Sequence, residues 1–132
     1  MSDSRFLSIE DVLRLHQQLI ESFGGDVGIL HQDMFESAVA QPTMTAFGQS
    51  LHRDLVEQAA AYLFHLVANH PFCDGNKRIG LHAALVFLDT NNAEVLGDLD
   101  DWYELTMGIA RCELKKTELT KRMRALIRVN GL

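Results

Sequence analysis

His70-Pro71-Phe72-Cys73-Asp74-Gly75-Asn76-Lys77-Arg78 separates two segments whose apolar residues recur at helical spacing, and it forces a turn between them. Pro71 bars a helical conformation at His70, so the segment from Leu55 to Asn69 ends there. Gly75 supplies a free choice of φ and Asn76 is a good N-cap. Ile79, Leu81, Leu85, Val86 and Leu88 then begin the next helical pattern. The reading is helix, tight loop, helix, with Gly75 to Arg78 at the start of the second helix.

A helix start carries unpaired N–H groups, and with Lys77 and Arg78 added it forms a site for a phosphate anion. Asp74 conflicts with a bare anion at that place unless a cation lies between them. Mg²⁺, held by one carboxylate and by the phosphates themselves, resolves the conflict. His70, four residues before Asp74, is then placed to act as general base, because imidazole exchanges protons near neutral pH. A lone His-Pro or Gly-Asn pair is an ordinary turn. It is the combination that points to phosphoryl-group chemistry: a base, a hard-cation ligand and donors aimed at developing charge.

The rest of the chain reads as helix almost throughout, so the expected class is all-α. Ser8 with Asp11 forms a capping-box variant opening a helix whose apolar face holds Ile9, Val12, Leu13, Leu19, Ile20 and Phe23, and Gly24-Gly25 stops it. A short helix is expected from about Asp33 to Ala40, ended by Pro42. The segment from about Asp54 to Asn69 is apolar nearly all round and reads as the central buried helix. Its partner runs from Lys77 to about Thr90. Asp98, Asp100 and Asp101 precede a helix to about Arg111, and a last helix is expected from about Thr117 to Val129.

With 132 residues and 14.8 kDa the chain is the size of one domain and long enough to bury a core. Cys73 and Cys112 are too few for a disulfide framework and lack metal-ligand spacing. No stretch has the length of a membrane span and Met1-Ser2-Asp3-Ser4 has no signal-peptide character, so a cytoplasmic protein is expected. The net charge is −6, yet Lys115, Lys116, Lys121, Arg122, Arg124 and Arg128 crowd the C-terminal end with Glu118 opposing them. Such a helix could touch nucleic acid. The stronger reading is a solvated face, because Leu119, Met123, Leu126 and Ile127 give the helix an ordinary core side. His16, His31, His52 and His65 are scattered without a ligand pattern. A His65/His70/Asp74 metal site of a hydrolase is the weaker alternative to a phosphate site.

The nine residues match His-x-Phe-x-(Asp/Glu)-Gly-Asn-x-Arg, and through them the chain resembles the Fic/Doc (Fido) superfamily. Phe6 to Val12, Phe23-Gly24-Gly25, Met34 to Val39, Gln41-Pro42 and Phe47-Gly48 are similar to the N-terminal half of Doc-like proteins, so that the resemblance covers residues 6–126. It implies a compact helical fold with a short β-like flap after Pro42. By resemblance the flap helps dock an extended segment of the target as an added strand, and Thr43-Met44-Thr45-Ala46-Phe47 is short and β-prone, which fits that role. By resemblance His70 is the base, Phe72 a plug anchoring the loop, Asp74 the Mg²⁺ ligand, and Gly75, Asn76, Lys77 and Arg78 the phosphate cradle.

Adenylylating members of the superfamily usually carry Gly where this chain has Lys77, and a second Arg where it has Leu81. Gly-Asn-Lys-Arg without the later Arg resembles the Doc branch, the death-on-curing toxins of toxin–antitoxin modules. That branch is held to bind ATP in the reverse orientation and to present the γ-phosphate. The resemblance therefore implies a protein kinase using ATP and Mg²⁺ on a Ser or Thr hydroxyl, with elongation factor Tu of the translation apparatus as the leading target. Transfer of AMP and a catalytically idle peptide-binding module are the alternatives. No Glu is followed by Gly or Asn, so the internal inhibitory pattern of some relatives is missing and inhibition is expected from a separate antitoxin chain. His82 is either an added polar contact or an idle surface residue, and Cys73 a spectator.

Overall fold

A computed structural model describes residues 4–129; the Met1-Ser2-Asp3 start read above lies outside them. Helix α1 spans Ile9–Phe23 and opens on the expected capping box: Asp11 donates its N–H to Ser8 Oγ at 3.1 Å and Ser8 donates its N–H to the Asp11 carboxylate at 2.9 Å. The bond from the Ser8 N–H holds the Asp11 carboxyl below the usual range. Gly24, at φ 88°, ends the helix. Helix α2 is Gln32–Ala40, and Pro42 lies in a 3₁₀ turn, Gln41–Thr43, that continues it.

A hairpin follows. Strands β1 (Thr45–Ala46) and β2 (Gln49–Ser50) pair antiparallel around Phe47 and Gly48, whose φ values of 54° and 78° are those of a primed two-residue turn. This is the expected flap, with its strand pairing confined to two residues on each side.

Helix α3 (Leu55–Asn69) is capped by the Asp54 side chain and buried nearly all round, as its composition requires. Helix α4 (Asn76–Thr90) packs along it. The two approach so closely at Gly80 that an added Cβ would lie 2.7 Å from Val67 Cγ2. Tyr62 ties the chain entering α1 to the middle of α3. Its hydroxyl accepts the Leu7 N–H at 2.8 Å, and burial pushes its pKa up to about 12.

Strand β3 (Ala93–Val95) leads to helix α5 (Leu99–Ala110), which opens on a capping box of Asp98 and Asp101, and helix α6 (Lys116–Arg124) follows. The last helix is shorter than expected. Ile127–Val129 forms strand β4, antiparallel to β3 with Val95 opposite Ile127 and Ala93 opposite Val129. The sheet bonds to β3, the burial of Ile127 and the 2.9 Å Arg128–Glu94 ion pair all favour the extended form.

The fold is all-α, with two small ribbons and one apolar core, from Leu7 to Ile127, among the described residues. Phe23 departs from the expected apolar face: it is 62% exposed, because it sits in the final turn of α1 beyond the core. No helix among the described residues is long and apolar enough to cross a membrane. Arg124 and Arg128 find acidic partners on other elements, and Arg122 finds one within α6. Arg124 reaches Asp54 at 2.9 Å and Glu57 at 3.7 Å, and Arg122 pairs with Glu118 at 3.1 Å.

Candidate active site

His70 is the C-cap of α3 in the left-handed conformation, φ 49° and ψ 54°, which turns the chain out of the helix just before Pro71. The following loop is tied to the α1–α2 connection by main-chain bonds. Leu30 and His31 donate to the Pro71 carbonyl at 2.7 and 3.0 Å, and Cys73 donates to the Gly28 carbonyl at 3.0 Å. Phe72 is fully buried between His16, whose ring stacks on it at 3.6 Å between centroids and 11° between planes, and Phe35 at 5.1 Å. The plug implied by the resemblance is thus a physical one.

Gly75, at φ 80°, occupies the N-cap of α4, the place the sequence reading gave to Asn76. Asn76 is instead the first helical residue, with its side chain turned back into the loop to meet the main chain of Phe72. No side chain caps the helix, so main-chain N–H groups of its first turn stay available to a ligand.

Asp74 is held at two points. Its carbonyl accepts from His16 Nε2 at 2.8 Å, and its carboxylate accepts the Asp26 N–H at 2.8 Å. Burial pushes the His16 imidazole below its usual range and favours the neutral ring, whose Nε2–H serves the carbonyl. His70, Asp74, Gly75, Asn76, Lys77 and Arg78 all line one cleft of about 1000 Å³. Leu81 lines it as well, and α5 with the α5–α6 connection forms the far wall through Tyr103, Ile109 and Lys115. His82 is not part of the lining.

Two histidines elsewhere, His52 and His65, share a structural partner. Lys116 Nζ sits 2.7 Å from His52 Nε2 and 2.9 Å from His65 Nε2. Burial and the ammonium together hold both imidazoles down, His65 to about 4. His65 is thereby engaged away from His70 and Asp74, and among the described residues no three His, Cys, Asp or Glu side chains are grouped to hold a metal ion. A single carboxylate beside free helix N–H groups suits a hard cation that brings phosphate oxygens as its other ligands.

Sequence reasoning overlooked His16. The available signal was its position on the apolar stripe of α1 with Ile20, where a solvated histidine has no reason to be.

The sequence model of the Fic/DOC family matches residues 6–88. A curated relative, Toxin Doc of Mycolicibacterium smegmatis (strain ATCC 700084 / mc(2)155), is 35% identical over 97 residues, 74% of this chain and 72% of that protein. Protein kinase doc of Escherichia phage P1 is 30% identical over 122 residues, 92% of this chain and 95% of that protein.

Proposed function

The chain belongs to the Fic/DOC family, in its Doc branch, and on that premise we propose that it is a Doc-like toxin that phosphorylates a protein. It transfers the γ-phosphate of ATP to a Ser or Thr hydroxyl of a target in the translation apparatus, an elongation factor Tu-like protein being the first candidate. A cognate antitoxin restrains it. The observation that carries this reading is the shared cleft: His70, Asp74 and the uncapped start of α4 face one space.

In the proposed step His70 accepts the proton of the attacking hydroxyl. The hydroxyl oxygen bonds to the γ-phosphorus, the bond to the β–γ bridging oxygen breaks, and ADP leaves with that electron pair. Main-chain N–H groups of Asn76 to Arg78, with the Lys77 and Arg78 side chains, bind the phosphates and stabilise the charge that builds on them. Asp74 is the residue that would hold Mg²⁺, which when bound neutralises charge on the β- and γ-oxygens. Leu81 supports transfer of the γ-phosphate over AMP, since an apolar side chain lines the cleft where a second guanidinium would grip a further phosphate.

Parallel incubations with γ-labelled and α-labelled ATP, in the presence of elongation factor Tu and of a translation extract, test the proposal. Label is expected in protein from the γ position alone. Label from the α position alone would replace the kinase reading with AMP transfer, and none from either would leave a peptide-binding module.

A further inference from the structure

Helix α1 touches the phosphate loop at three points along one stripe, since residues 16, 20 and 23 follow the i, i+4, i+7 spacing of a helix face. His16 holds the Asp74 carbonyl. Ile20 and His16 close over Gly75, where an added Cβ would meet Ile20 Cδ1 at 3.3 Å and His16 Nε2 at 3.4 Å. Phe23 lies under Arg78, with the guanidinium carbon 4.5 Å from the ring centroid.

The first two contacts belong to buried residues and are explained by packing. The third is not, because Phe23 is 62% exposed and contributes little to the core. A guanidinium over an aromatic ring is attracted by the ring face and needs no hydrogen-bond acceptor there. Among the described residues no carboxylate or carbonyl engages the Arg78 N–H donors, while Arg78 lines the cleft. The ring therefore holds a long side chain in place without competing as an acceptor for the donors that would bind phosphate.

We propose that Phe23 is a positioning residue for Arg78, pre-setting its guanidinium for the nucleotide's phosphates; this rests on the phosphate-cradle reading given above. A free Arg must lose rotamer freedom when it captures an anion, and a side chain already held over a ring loses less. An exposed cation–π contact corresponds to about a two- to fivefold effect on affinity.

The test uses the full chain and four variants: Phe23→Leu, Phe23→Trp, Arg78→Ala and Phe23→Leu with Arg78→Ala. Mg-ATP affinity is measured by calorimetry and transfer by steady-state kinetics, with melting curves to verify folding. Phe23→Leu is expected to raise Kd and KM for ATP by about two- to fivefold at unchanged kcat. Phe23→Trp is expected to retain or improve affinity, and Phe23→Leu to have no further effect once Arg78 is Ala. Weakened binding in Arg78→Ala with none in Phe23→Leu, or equal Phe23→Leu effects in both backgrounds, would overturn the positioning role alone. Unchanged binding in Arg78→Ala would overturn the cradle reading and this inference together.

Discussion

Asn76 clasps the main chain of Phe72 at both ends of one residue: its Oδ1 accepts the Phe72 N–H at 2.9 Å and its Nδ2 donates to the Phe72 carbonyl at 3.0 Å. The clasp is buried and spans the whole turn from the plug to the start of α4. Asn76→Ala leaves two interior main-chain groups without partners, at a cost of about 1–3 kcal/mol for each. Asn76→Asp keeps the acceptor and loses the donor, so it should fall between parent and Ala in urea unfolding midpoint. Equal midpoints for all three proteins would mean that the clasp adds nothing to stability.

Separating the base from the cradle needs two substitutions. His70 occupies a left-handed position that Asn enters readily, so His70→Asn removes the imidazole with little backbone strain. Turnover should drop by a factor of ~10²–10⁴ while ATP affinity changes little. Arg78→Ala should chiefly weaken ATP binding. A His70→Asn protein that binds ATP as poorly as Arg78→Ala yet turns over normally at saturation would make His70 a positioning group.

Asp74→Asn tests the cation ligand cleanly, because the new side chain still accepts the Asp26 N–H and stability should move by no more than about 1 kcal/mol. Transfer should disappear. Full activity with an unaltered Mg²⁺ dependence would reduce the carboxylate to a fastening of the α1–α2 connection.

Stability should depend on pH through His65, whose pKa burial and Lys116 depress to about 4. The folded state favours the neutral ring, so this contribution is present above the ordinary value of about 6.5 and is lost as pH falls through that value toward about 4. Melting temperatures taken between about pH 7.5 and pH 4.5 should fall more steeply for the parent than for His65→Gln, which cannot titrate. Parallel slopes would remove His65 as the cause.

Features written locally were legible in the sequence. Ser8 with Asp11, Gly24, Asp54 and Pro71 start or stop helices through neighbours a few residues away, and all do so in the structure. Contacts between distant segments were not legible. Ile127-Arg128-Val129 continues a helical apolar pattern when read alone, and becomes a strand only because Ala93–Val95 offers a partner. Asn76 reads as a cap until the loop brings Phe72 within reach of its amide. His16 and Phe23 lie in a different helix from the motif they support, and their partners are more than fifty residues further on. The motif residues themselves were legible because their meaning lies in close spacing, and the fold brings them to a common wall.

The left-handed turn at His70 joins two helix ends at one place. It ends α3 and lets α4 begin six residues later, so the C-terminal end of one helix and the N-terminal end of the other meet at the same cleft. Aligned peptide dipoles make the first end partly negative and the second partly positive. In the proposed reaction the imidazole gains a proton at the negative pole while phosphoryl charge collects at the positive one. The scaffold is thus polarised along the direction in which charge separates, before any ionised side chain is counted.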